Sequence, residues 1–265
     1  MKIGIFGDSF GDVSLFNGHP WPVNYAWAKQ IEEAWNPELI EYHAKCGAST
    51  WYNYQHFLKH YQKYDHIVFV YTYHYRWPHL HEDLGMRHWN VNAVPNFIHD
   101  YKQNESWADE EIRNLCKSYD LIFSPDLLTF INKNVVRDIN LRCHREDRKL
   151  VNIFVTDCNY GDHTGQFRDN YNEEDLLFSS IENLHWVSAR ELVKINGKEY
   201  TINQLVEKFG LPDARFCHMW EHNNTIVANL VKKLFYKKET VIAQNLTDWS
   251  IYDSRADVYY QNRMS

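Results

Sequence analysis

Hydrophobic and polar positions along the chain switch repeatedly between a strand-like and a helix-like period. Lys2 to Phe6 is a short apolar run closed by Gly7, and after a polar stretch Val23, Trp27, Ile31 and Ala34 recur at helical spacing. Leu39 to Tyr42 predicts a second strand closed by the turn at Gly47, and Trp51, Tyr54, Leu58 and Tyr61 place an apolar stripe on a second helix. His66 to Tyr73, reading HIVFVYTY, is a continuous β-branched and aromatic run, as expected of a strand covered on both faces. Strands alternating with helices in this way predict parallel pairing through right-handed crossovers.

Residues 75–106 lack periodicity and carry Trp77, Pro78, Trp89 and Pro95, the pattern of an insertion covering one end of the sheet. Helical patterns return over 107–117 and 125–142, followed by a fourth strand at 151–156 and a fifth at 185–188. Thr201 is placed to N-cap a helix through Phe209, and Met219 to Tyr236 reads as a last helix with Ile226, Leu230 and Leu234 on one face. The reading is one α/β domain over 1–236, with about five parallel strands and helices on both faces. Residues 237–265 are polar, aromatic and without period, and read as an appendage, a partner contact or a tail.

Composition narrows the class. With 44% apolar and 24% charged residues, the chain of 265 residues is that of a folded protein rather than a disordered one. A net charge of −7 argues against broad adhesion to nucleic acid or anionic lipid. The opening MKIGIFG is too short in apolar residues for a secretory segment, and no apolar run reaches the roughly 18–20 residues of a membrane span. Cysteines at 46, 116, 143, 158 and 217 form no CxxC pair, which points away from disulfide frameworks and Cys-type zinc sites and toward a soluble protein of a reducing compartment. The 10 Trp, 18 Tyr and 14 Phe are first of all core and interface fillers, and only secondarily a hint of a sugar-binding surface.

Chemistry concentrates at the first turn. Gly7-Asp8-Ser9-Phe10-Gly11 follows the first strand, where an open α/β sheet places its ligands. The spelling satisfies G-x-S-x-G, but an α/β-hydrolase elbow needs several strands before it, and here six residues precede Gly7. The string GIFGDSFG instead resembles the first block of the SGNH (GDSL-like) hydrolases. Gly47 in AKCGAST resembles their second block, the turn after HIVFVYTY falls at the third, and Cys217-His218-Met219 before the last helix resembles the fifth. The resemblance runs in order from residue 1 to about 236 and implies a three-layer, flavodoxin-like fold and a serine esterase-type hydrolase.

That resemblance implies Ser9 as nucleophile, His218 as general base, and an oxyanion hole from the Ser9 and Gly47 N–H groups. Two blocks depart from the family pattern. The third reads Thr72-Tyr73-His74-Tyr75-Arg76 without the usual Asn, so His74 takes its place; in the fifth the acid three residues before the histidine is replaced by Arg215, leaving Asp213 to orient His218. The implied substrate is a small acyl or acetyl ester, including acetylated glycans, with no metal and no cofactor. The altered blocks also fit a weak or inactive SGNH-like binding module or virion-associated structural protein.

Two other patterns in the sequence compete with this one. Residues 4–19 are similar to the entry of HxGH nucleotidyltransferases, with Gly18-His19 present but Phe16 where the first histidine belongs. His218-Met219-Trp220-Glu221-His222 spells the H-x-x-E-H of some zinc proteases, yet no further ligand follows on a strong helical pattern, and His79 and His81 read as ordinary surface or core histidines.

Overall fold

A computed structural model of the chain describes residues 1–8, 10–13, 26–45, 48–71, 77–78, 90–91, 125–156, 174, 176–185, 192–195, 198–201 and 221–242. The chain opens with strand β1 (Lys2–Phe6), helix α1 (Trp27–Trp35), strand β2 (Leu39–Tyr42), helix α2 (Thr50–His60) and strand β3 (His66–Tyr71). Two short strands, β4 (Trp77–Pro78) and β5 (Asn90–Val91), pair antiparallel within the 75–106 stretch. Helix α3 (Pro125–Arg145) leads to β6 (Lys149–Thr156) and β7 (Ser179–His185); the hairpin β8 (Leu192–Ile195) and β9 (Lys198–Thr201), helix α4 (Glu221–Leu234) and β10 (Thr240–Ile242) follow.

Six of these strands form one parallel sheet in the order β2-β1-β3-β6-β7-β10. The expected α/β architecture is therefore present, with a sixth strand beyond the five expected. That strand, β10, lies within the 237–265 stretch.

Period-two alternation sorts the strand side chains between two helical layers. On one face Phe6 meets Phe57 of α2 edge-on at 5.6 Å and stacks with Phe69 at 6.2 Å, while Tyr71 stacks on Phe154 at 4.7 Å. These rings are almost wholly buried, and each contributes on the order of 1.5–3 kcal/mol by leaving water. Gly4 lies on this face because a methyl there would come within 2.3 Å of the Tyr64 ring. On the other face α1 and α4 pack together: the Trp27 N–H donates to Asn224 Oδ1 at 3.1 Å, and Trp35 meets Phe235 at 5.8 Å. Phe235 also lies edge-on to His66 of β3 at 4.9 Å.

Two expectations change. The fully buried residues of α2 are Thr50, Asn53 and Phe57, with Tyr61 following, while Trp51, Tyr54 and Leu58 of the expected stripe are partly buried and pack against the core's edge. Tyr54 stays at the margin because its hydroxyl donates to Asp138 Oδ2 of α3 at 2.7 Å. The fifth strand begins at Ser179 rather than His185. Its buried serines are satisfied by the neighbouring segment, since Ser179 Oγ donates to Lys237 O at 2.6 Å and Ser180 Oγ to Thr240 Oγ1 at 3.1 Å. Thr201 is the last residue of strand β9, its partner across the ladder being Leu192. The helices expected over 107–117 and 202–209 lie outside the described residues.

The sheet and α3 enclose a polar core element. Tyr71 Oη donates to Asn152 Oδ1 at 3.0 Å, and Asn140 Nδ2 donates to Val136 O at 2.9 Å. Beside it Cys143 is buried as a free thiol, and burial pushes that thiol up to about 12. Thiolate is the reactive form, so Cys143 should resist iodoacetamide at pH 8 in the native protein and be alkylated once the chain unfolds. Peptide mass spectrometry with and without denaturant checks this; native-state labelling at Cys143 contradicts the packing of α3 on the sheet.

Candidate active site

β1 lies between β2 and β3, so the chain leaves it to one side and returns to the other. In an open parallel sheet, the carboxyl end of such a strand opens into a crevice suited to a ligand. At that end Gly7 passes close to β3: a methyl on it would lie 2.6 Å from Val70 Cβ. The turn that follows is built on Asp8, which is fully buried. Its carboxylate accepts the Phe10 N–H at 3.1 Å and its carbonyl accepts the Gly11 N–H at 3.0 Å. A side-chain oxygen bonded two residues ahead, inside an i to i+3 turn, lets a short polar residue hold a tight reversal of the chain.

Two further segments converge on this turn. Beyond β2 the chain continues alongside β1, with the His43 N–H on Ile5 O at 2.7 Å and the Lys45 N–H on Gly7 O at 2.9 Å. Ser49 then caps α2 by accepting the Tyr52 N–H at 3.1 Å. From the opposite side, Trp27 Nε1–H donates to Phe10 O at 2.6 Å while its backbone N–H reaches Asn224 of α4. Trp27 is 1% exposed, so the turn after β1 and the first turn of α4 are tied to one buried residue, the turn through its indole and α4 through its backbone N–H.

Ser9, Gly47, His74, Asp213 and His218 all lie outside the described residues. Near some of them the structure is described: Gly7 and Lys45, each two positions from Ser9 and Gly47, share a hydrogen bond, and Phe10 and Asn224, the latter six positions after His218, both bond to Trp27. β3 ends at Tyr71, three positions before His74. Nothing described lies near Asp213 in sequence.

Among the described residues, one group is arranged to hold a metal ion, and the sequence reading did not single it out. His43, His56 and His60 are partly buried, and one ligand atom from each lies within 4.8 Å of the others. His56 and His60 stand four positions apart on α2, a spacing that puts both rings on one helix face and was visible in the sequence. Burial, and then His60, holds the His43 imidazole well below its ordinary range, at about 4; burial likewise lowers His56.

Compared with known proteins, the chain matches no family model and no curated sequence. Among the described residues no helix is long and apolar enough to cross a membrane.

Proposed function

We propose that the chain is a serine esterase-type hydrolase of the SGNH kind, carried on a flavodoxin-like sheet and acting on a small acyl or acetyl ester, with acetylated glycans among its substrates. The observation that supports this reading is the pair of hydrogen bonds by which Trp27 links Phe10, next to Ser9, with Asn224, six positions after His218. The strand order supports it, because the turn bearing Ser9 follows the strand at which the order reverses.

In this reading Ser9 Oγ attacks the ester carbonyl carbon as His218 takes its proton. The negative charge that develops on the carbonyl oxygen is met by the Ser9 and Gly47 N–H groups and by His74, donors of the kind that stabilise such oxyanions. Collapse breaks the bond to the leaving alkoxide, which receives the proton held by His218. Water then repeats the sequence on the acyl-Ser9, releasing the acid and restoring the hydroxyl. Asp213 orients His218. The cycle needs no metal or organic cofactor. A reducing compartment belongs to the same proposal and agrees with the free thiol of Cys143.

Short p-nitrophenyl esters together with a fluorophosphonate probe test the reading. The expected result is saturable turnover and a single covalent adduct on the peptide containing Ser9. Absence of both turnover and labelling in the folded protein overturns it in favour of a binding module.

A further inference from the structure

We propose that His43, His56 and His60 form a binding site for one first-row transition-metal cation of the zinc class, independent of the proposed esterase residues. The three imidazoles come from two elements that the fold fixes against each other. His43 is held by its backbone bond to Ile5 and by stacking on Phe6 at 4.8 Å; His60 lies against it at 4.6 Å, and His56 follows one turn earlier on α2. Nitrogens on a tetrahedral zinc ion, each about 2.0–2.1 Å from the metal, stand roughly 3.4 Å apart. The spread of 4.8 Å closes to that arrangement when the His60 ring, which lies within 10° of parallel to His43, turns about its side-chain torsions so that its nitrogen lone pair points to the same centre.

The hydrogen bonds around the group already suit a ligand. Tyr64 Oη donates to Glu41, so its lone pair accepts from His43 Nε2, 2.6 Å away, which leaves His43 Nδ1 unprotonated and able to coordinate. A carboxylate acting through a hydroxyl on a histidine is the kind of outer support that orients metal-binding imidazoles. His60 Nδ1 is buried and has no hydrogen-bond partner. A buried polar atom left without a partner has lost its water without compensation, and coordination to a metal supplies that compensation.

The donor set selects the ion. Three imidazole nitrogens suit Zn²⁺, Co²⁺, Ni²⁺ or Cu²⁺, whereas Mg²⁺ and Ca²⁺ require oxygen donors. All three histidines are partly rather than fully buried, so a cation reaches them from solvent, with water completing the coordination.

The test uses the full chain without a histidine tag, stripped by chelator and titrated with Co²⁺ and Zn²⁺. One equivalent of Co²⁺ should give saturable visible absorption that Zn²⁺ displaces, and Mg²⁺ should have no effect. His60→Ala and His56→Ala should each weaken binding roughly tenfold or more. Circular dichroism identifies which variants fold, and His56→Ala, which replaces a partly exposed ring by a good helix former, decides the matter if His60→Ala does not fold. Failure of the native chain to take up one equivalent overturns the proposal. So does undiminished affinity in folded His56→Ala, which assigns the ion to other histidines. Ester hydrolysis by the metal-free chain is a separate readout, so failure of this site and failure of the serine reading are distinguishable.

Discussion

Ser9→Ala is expected to lower ester turnover by about 10⁴-fold or more while leaving the thermal midpoint within a few degrees of the native chain. The first half follows from chemistry: without the hydroxyl no acyl-enzyme forms, and what remains is whatever the oxyanion donors and substrate binding give to direct attack by water. The second follows from position, because the turn is anchored by groups other than the Ser9 side chain, namely the Asp8 carboxylate and carbonyl and the Trp27 indole. His218→Ala should fall to a similar level, and the double variant should fall no further, since nucleophile and base act as one unit. His74→Ala is expected to cost about 10²–10³ as the loss of one oxyanion donor. Turnover of p-nitrophenyl acetate above buffer background measures all four. A Ser9→Ala protein that keeps a tenth of native turnover has its nucleophile elsewhere, and additive losses in the double variant would dissolve the Ser9 and His218 pair.

The parts of the fold that could be read from sequence are those carried by continuous, mainly apolar runs, even where β2 is only partly buried and β6 includes the buried Asn152. β1, β2, β3 and β6 are unbroken or nearly unbroken runs of large side chains, and their bounds agree with the sequence reading to within two residues where both are described. β7 could not be read in that way. SSIENLH has two buried serines whose hydroxyls are satisfied only when Lys237 and Thr240 arrive some 60 positions later, and no local pattern encodes a partner that distant. β10 shares that reason, being a strand defined by what it pairs with. The β8 and β9 hairpin is a different case. Asn196-Gly197 between LVKI and KEYT is the strongest short hairpin signal a sequence offers, and it was readable.

The candidate sites divide along the same line. The Gly7 to Gly11 turn stands out locally because glycine and a short acid are what a tight reversal at a strand end requires, and Asp8 bears this out with two hydrogen bonds inside the turn. The histidine trio stands out only in part. His56 and His60 are paired by helical spacing alone, but His43 joins them because β2 runs on beside β1 to Gly7 and turns its ring onto Phe6. The buried face of α2 illustrates the same limit. Hydrophobicity selects Trp51, Tyr54 and Leu58, whereas Phe57 occupies the core because Phe6 and Phe69 leave a ring-sized space opposite it.

Trp27→Ala is expected to destabilise the chain by about 3–5 kcal/mol, a large share of the 5–15 kcal/mol typical of a folded protein. Trp27 is among the largest fully buried side chains described, and truncation leaves a cavity between α1 and the turn after β1 while deleting the indole donor to Phe10 O. The bond from its backbone N–H to Asn224 survives the substitution, so α4 keeps its tie to α1 and the loss falls on the turn. A thermal midpoint lower on the order of 10 °C is the corresponding readout. Trp27→Phe separates the two contributions, since it keeps most of the volume but lacks the N–H; its cost should be about 1–3 kcal/mol. Phe130→Ala serves as the control, because that ring is 63% exposed on α3 and its removal should stay within about 0.5 kcal/mol. If the indole positions the Ser9 turn, Trp27→Phe should also lose roughly tenfold in turnover at temperatures where it is fully folded, since small misplacement of a reacting group is expensive. A Trp27→Ala midpoint no lower than that of Phe130→Ala would show that the indole does not anchor the turn after β1, and would leave the backbone bond to Asn224 as the sole link from Trp27 toward the proposed base.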